Sequence, residues 1–329
     1  MSLNSDDSDT DSLLSTSSAS SLDEEAVNGR VRPDWCTFRD VIESRGFRLD
    51  TFRDVKQYYQ YYCETLGYLD PENAQKLPGY ARAREGLDDN DLCKDLGLPE
   101  NLFRGTRCAD GTKVVIKAVH LQSHEFDIIR YLSSPPSRNN PMNHCIPVLD
   151  LISVPKYEIA FIVMEEWTSQ DVAGVPSNLR IFLGALRQCV EHTVFMHTRK
   201  IAHLDISTRN LLTDGEGHYA WIDFELSRRF DGPIPRIRGR RGTELPPELE
   251  RGDATDPFKA DVWALGIFML RACQLAGVDL PEIRALVKRM LHENFEKRPT
   301  ANEILAEFDF MLHSVCGRRQ RICDPGACS

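Results

Sequence analysis

The stretch HLDISTRNLLTDGEGHYAWIDFELS, residues 203–227, sets Asp205 eighteen residues before Asp223, with Asn210 between them. Two carboxylates and a carboxamide in one short segment supply oxygen donors of the kind Mg²⁺ prefers, with phosphate oxygens and water completing its shell. Moving a phosphoryl group requires fixed positive charge around the phosphate and a positioned oxygen nucleophile. Asp205 suits the second task, accepting the hydrogen bond or proton of an attacking hydroxyl. Asn210 and Asp223 suit the first, through a metal. Upstream, Lys117 ends the run VVIK as a mobile point charge that works only when oriented, and Glu125, eight residues on, is the partner to expect. Each residue alone has an ordinary structural reading, and their chemistry rests on finding them together and in order. His203 reads as a structural histidine beneath the loop, because a neutral imidazole can tie backbone groups without touching substrate.

The elements that must position these residues are legible in outline. LFRGTRC, the turn ADG and TKVVIKAVH predict a hairpin from residue 102. HEFDIIRYL predicts a short helix with Glu125, Ile128, Ile129 and Leu132 on one face. IPVLDLISV and YEIAFIVMEE predict two strands. Beyond Pro176 the pattern turns helical: LRIFLGALRQCVEHTVFMHTRK reads as a core helix and ADVWALGIFMLRACQLAG as one buried on most sides. A final helical piece runs from PEIRALVKRMLHE through TANEILAEFDFMLH. Earlier, residues 35–66 predict two short helices around an RGFRL turn, the second presenting Val55, Tyr58, Tyr59 and Tyr62 as a packing face. Residues 67–100 read as a charged connector. The chemistry-bearing stretch then lies just past the junction of a strand-rich half and a helical half, where ligands commonly bind.

Over residues 95–312 the sequence resembles a protein kinase, on several ordered motifs. VVIK looks like the strand bearing the ATP-phosphate lysine, which makes Lys117 that residue and Glu125 its helix partner. FIVMEEW looks like the strand entering the hinge, with Met164 at the gatekeeper position and the backbone from Glu165 to Trp167 open to adenine. HLDISTRN resembles the catalytic loop, placing the catalytic aspartate at Asp205 and the metal-binding asparagine at Asn210, and IDFE resembles the metal-binding motif with Asp223 as its aspartate. GTELPPE resembles the end of an activation segment, with Thr243 on the substrate side and Glu248 pairing with Arg298 of KRPT; Asp261 of ADVWALG would brace the catalytic loop. Small-molecule kinases related to choline or aminoglycoside kinases resemble the central motif as well, but lack this downstream series. The resemblance implies an α+β, two-lobed protein-kinase-like fold with a small antiparallel-sheet N-lobe and a mainly helical C-lobe. It implies ATP and Mg²⁺ as cofactors and phosphoryl transfer to protein Ser or Thr, with Tyr left open by Arg209, which stands where tyrosine kinases often carry a compensating arginine. A compact, divergent fungal kinase is the nearest description.

The departures are specific. The glycine-rich phosphate loop is absent, and LGLPEN around Gly97 stands in its place. Ser207 replaces the catalytic-loop lysine, Leu204 an arginine, and Glu225 a glycine. A pseudokinase that holds nucleotide or protein partners is therefore the alternative, and a small-molecule phosphotransferase the second.

The domains implied are an acidic, Ser-rich disordered tail over 1–33, a helical extension over 34–94, the kinase-like N-lobe and hinge over 95–168, the C-lobe over 169–313, and a Cys/Arg-containing tail over 314–329. Of the net charge of -10, seven negative charges fall in residues 1–25, which carry no base. Such a segment has almost nothing to bury. RRFDGPIPRIRGRRG brings Arg228, Arg229, Arg236, Arg238, Arg240 and Arg241 together against one acid, so acidic protein substrates, or the chain's own acidic N-terminus, are the partners to expect. Nucleic acid is disfavoured, since no aromatic stacking pattern accompanies the charge. No apolar run spans a membrane and no secretory leader is seen, which sets the expectation of an intracellular protein in cytoplasm or nucleus. Seven cysteines are scattered singly, and Cys316, Cys323 and Cys328 lack the spacing and fourth ligand of a zinc site.

Overall fold

Asp34 starts the first helix by accepting the Cys36 N–H on its side chain, and the apolar residues Trp35, Phe38 and Ile42 recur at helical spacing along α1, Trp35–Ser44. The computed structural model describes residues 31–66, 88–95, 97–168 and 179–323. After α1 the chain reverses at Gly46, whose φ of 84° is the left-handed region glycine tolerates. It then forms β1, Phe47–Leu49, not the plain turn that RGFRL predicts. Three residues are too few to display an alternating pattern, although Phe47 and Leu49 are buried and Arg48 is not. Helix α2, Phe52–Leu66, follows, its first turn closed by Asp54, which accepts the Thr51 N–H and hydroxyl at 2.8 and 2.9 Å. The side chains of Tyr59 and Tyr62 lie outside the described residues.

The predicted hairpin is β2, Leu102–Arg107, and β3, Lys113–His120. Helix α3, His124–Ser133, is capped by Ser123, and β4, Val148–Val154, and β5, Ile159–Glu165, complete the sheet. The strand order is β1-β2-β3-β5-β4, antiparallel throughout. Alternation sorts β3 cleanly. Val114, Ile116 and Ala118 face α1, whose Trp35 ring lies 5.1 Å from Phe103 and 5.7 Å from Phe161. Lys113, Val115 and Lys117 point the other way. Arg45, just after α1, holds Asp150 of β4 through two bonds of 2.7 and 2.8 Å. The segment expected to be a helical extension is thus also the sheet's edge strand and its outer cover.

The rest is mainly helical. Helix α4, Leu179–Thr198, and α6, Pro257–Leu275, are the buried helices the sequence indicates. Between them come β6, Ile201–Ala202, paired with β9, Arg228–Arg229; β7, Leu211–Thr213, paired with β8, Tyr219–Trp221; and α5, Pro247–Glu250. The final helical piece is two helices, α7, Pro281–Met290, and α8, Ala301–Cys323. They are separated where Arg298-Pro299 breaks the pattern, because a residue before proline is driven from helical geometry. Helix α8 also continues ten residues into the segment expected to be a tail. One apolar core runs from the inner face of the sheet, at Val119 and Ile162, through α3 into α4, α6, α7 and α8.

Candidate functional site

Lys117 and Glu125 are brought together although only eight residues separate them, because β3 ends three residues before α3 begins and Glu125 occupies the second position of that helix. The Lys117 Nζ lies 2.7 Å from Glu125 Oε1 and 3.0 Å from Asp223 Oδ1. Burial works against the ammonium charge, but the two carboxylates outweigh it, and the Lys117 pKa is raised well above the usual lysine value. Burial likewise opposes ionisation of Asp223, yet Lys117, with smaller help from His203 and the Glu225 N–H, holds its carboxyl below the usual range. Asp223 adopts a φ of 62°, an uncommon conformation for a residue with a side chain.

Asp205 stands on the loop between β6 and β7, and α6 braces that loop. The Asp261 carboxylate accepts the His203 and Leu204 N–H groups at 2.8 and 2.7 Å and meets His197 Nε2 at 2.9 Å. On the loop itself, the Asn210 amide donates to the Asp205 carbonyl at 2.9 Å and to Asp205 Oδ2 at 2.8 Å. Asp205 Oδ1 accepts the Thr243 N–H at 2.6 Å. That approach depends on Gly242, at φ 102°, where a Cβ would sit 2.6 Å from the Leu204 carbonyl oxygen. His203 packs below, its ring 4.9 Å from Phe224 and 5.8 Å from Trp221. Ser207 is buried, its hydroxyl without a hydrogen-bond partner among the described residues.

A cavity of about 900 Å³ takes in Lys117, Glu125 and Asp223, and reaches the Asp205 loop at Arg209 and Leu212. Its lining includes the cluster of Lys117, Glu125 and Asp223, the apolar side chains Val115, Ile162, Met164, Leu212 and Ile222, and Glu165, Trp167 and Arg209. Where a glycine loop would approach phosphates, residues 50–101 connect β1 to β2 and place Asp50, Asp54, Val55 and Tyr58 at the cavity, along with Leu98 and Pro99. Sequence reasoning missed this roof. The signal was the face shared by Arg48 and Asp50 with Arg104 and Lys113, which only the sheet register reveals. Lys113 pairs with Asp50 at 2.9 Å, and Arg48 with Asp54 at 2.6 Å.

No group of three or more His, Cys, Asp or Glu side chains forms a metal cage among the described residues. Asp223 offers a carboxylate, and the Asn210 amide nitrogen is committed to Asp205, which leaves its oxygen as acceptor. That sparse oxygen set fits a Mg²⁺ ion arriving with phosphate, since Mg²⁺ keeps water and phosphate ligands and needs few protein groups. Further out, Glu248 and Arg298 form a bidentate pair with both bonds at 2.7 Å. Arg229 and Arg236 lie over the rings of Tyr131 and Phe295, and Arg238, Arg240 and Arg241 are exposed. The acidic residues 1–25, expected as their partner, lie outside the described residues.

Burial lowers the pKa of His192 well below the ordinary value, and lowers that of His203 against the pull of Asp261, Asp205 and Asp223. The His192 imidazole stays neutral in the folded chain, so below about pH 6.5 the unfolded chain binds a proton that the folded chain refuses. Stability is therefore expected to fall as pH drops from 6.5 towards 5, with a slope approaching ~1.4 kcal/mol per pH unit from His192. Urea unfolding across that range checks this, and His192→Gln should remove that slope. An unfolding midpoint that ignores pH above 5 would contradict it.

Parts of the chain are similar to protein kinases. CBL-interacting protein kinase 29 of Oryza sativa subsp. japonica is 28% identical over 142 residues, covering 36% of this chain and 32% of that protein. A serine/threonine-protein kinase of Candida glabrata is 30% identical over 126 residues, covering 32% of this chain and 19% of that protein. The chain thus spans a third or less of the length of these relatives. No family model matches. No helix among the described residues is long and apolar enough to cross a membrane.

Proposed function

We propose that this chain is a two-lobed protein-kinase-like enzyme that binds ATP with Mg²⁺ and transfers the γ-phosphoryl group to Ser or Thr hydroxyls of a protein, with Tyr left open by Arg209. The carrying observation is the convergence at one cavity of Lys117, Glu125 and Asp223, next to a loop on which Asn210 fixes Asp205. The partial similarity to kinases supports the same reaction class. In this reading Lys117, oriented by Glu125, holds the phosphates. Asp223 and Asn210 hold Mg²⁺, which when bound neutralises phosphate charge. Asp205 accepts the hydroxyl's hydrogen bond, the role for which its fixed carboxylate is suited. Thr243, bonded to that carboxylate, borders the place where substrate enters. Met164, Glu165 and Trp167 line the base-binding end, and Arg209 stands in for the cation that Ser207 lacks.

The proposed lobes are 95–168, completed by β1, and 169–313, with the acidic 1–33 segment and the 314–329 segment outside them. The exposed arginines of 228–241 favour acidic protein substrates or the chain's own acidic N-terminus, and an intracellular setting accords with both. One observation favours a second reading, a nucleotide- or protein-binding pseudokinase: the roof carries Asp50 and Asp54 where close backbone approach to phosphate would be needed. Mg²⁺-dependent transfer from ATP to a mixed acidic, basic and tyrosine-containing peptide pool decides between them. Transfer with the acidic peptides preferred is the expected result. Folded protein that binds ATP without transferring phosphate would leave the pseudokinase.

A further inference from the structure

We propose that Arg104 is the ceiling of the base-binding compartment and determines nucleotide affinity by stacking its guanidinium on the nucleobase, an inference that rests on the nucleotide reading above. Register places it. Arg104 is opposite Val115, and Val115 is opposite Met164, so the three form a row across β2, β3 and β5 on one face of the sheet. All three line the cavity, and Leu212 of β7 and Ile222 supply apolar surface to the same space. A planar ligand between them would have Arg104 against its face where an aliphatic ceiling would otherwise serve.

The guanidinium is held for that task by its edges. Arg104 Nε donates to Asp95 Oδ2 at 2.8 Å, and Nη1 pairs with Glu166, just beyond β5. Asp95 is itself fixed, its other oxygen accepting the Gly97 N–H at 2.9 Å. Nε and Nη1 are thus tied to two carboxylates, which restrains the plane of the guanidinium, and its faces suit a planar ligand. Those faces are weakly hydrated and attract aromatic π-systems. Nucleobases all present such a face.

A phosphate is a poorer match for this residue. Around it the cations Arg48, Arg104 and Lys113 are offset by Asp50, Asp54, Asp95 and Glu166, so the roof carries no excess positive charge. In the nucleotide reading phosphate lies instead at Lys117, on the same strand as Val115 but two residues further on. Base and phosphate are thereby assigned to different ends of one strand face.

Calorimetric titration of Mg²⁺·ATP into the full chain, Arg104→Met and Arg104→Lys tests this, with melting curves to verify that each variant is folded. Stacking predicts about tenfold weaker binding in both variants, because methionine loses charge and plane while lysine keeps charge and loses the plane. Asp95→Asn, which leaves the guanidinium in place but loosens its tether, should fall between these and the native chain. Native affinity in Arg104→Lys would show that charge alone matters and overturn the proposal. Unchanged or tighter binding in Arg104→Met would overturn it as well. Should the folded native chain bind no ATP, the nucleotide reading itself fails and takes the inference with it.

Discussion

Asp205→Asn is expected to lower phosphate transfer roughly a hundred- to ten-thousandfold while changing ATP affinity little. The substitution is isosteric, but the two Asp205 oxygens each accept a donor, Asn210 Nδ2 on one side and the Thr243 N–H on the other. An amide can satisfy only one of them with its oxygen and must turn its NH₂ towards the other. The variant therefore loses the acceptor for a substrate hydroxyl and disturbs the segment through Gly242 and Thr243. It leaves Lys117, Glu125 and Asp223 paired as before. Asp223→Asn should behave differently, losing nucleotide affinity along with turnover, because it removes a partner of Lys117 and, in the proposed function, a ligand of the metal. Single-turnover transfer measured beside equilibrium ATP binding separates the two. Transfer at the native rate in Asp205→Asn would sink the catalytic assignment.

Arg298→Met is expected to destabilise the chain by about 3–5 kcal/mol, seen as a lower urea midpoint. The Arg298 side chain is fully buried and that of Glu248 is 4% exposed. Besides its two bonds to Glu248, the guanidinium donates to the His292 carbonyl at 2.9 Å and the Lys259 carbonyl at 3.1 Å, and lies over the Trp263 ring. Burial pushes the Glu248 pKa up, but Arg298, the Thr255 hydroxyl and a backbone N–H hold it below the usual value. Removing the arginine thus strands a buried carboxylate, which is the costly outcome. Arg298→Lys should rescue little, since a point charge cannot serve two carboxylate oxygens and two carbonyls together. Glu248→Gln in the same chain should recover part of the loss by discharging the orphaned group. A change under ~1 kcal/mol in Arg298→Met would mean that the pair contributes nothing net.

What could be read in the sequence divides along physical lines. The juxtaposition of Asp205 and Asn210 was legible because they lie five residues apart on one loop, and the bracing of that loop by Asp261 because α6 is strongly periodic. Lys117 and Glu125 were legible because β3 alternates and α3 has an apolar face. The roof was not. β1 is three residues long and pairs with a strand more than fifty residues later, so neither local pattern nor spacing reveals that Asp50 and Arg104 share a face. The pairing of Arg104 with Glu166 likewise emerges only from the register of β2, β3 and β5. The split between α7 and α8 was signalled by Arg298-Pro299 but hidden by apolar residues on both sides.

The cover that α1 provides has a consequence during synthesis. Trp35, Phe38 and Ile42 leave the ribosome well before Phe161, the β5 residue against which two of those rings pack. At ordinary elongation rates that interval is on the order of ten seconds. Until then Trp35 has only its earlier partner Phe103 and the aromatic face of the helix is incompletely covered, so slow translation prolongs the exposure of apolar surface.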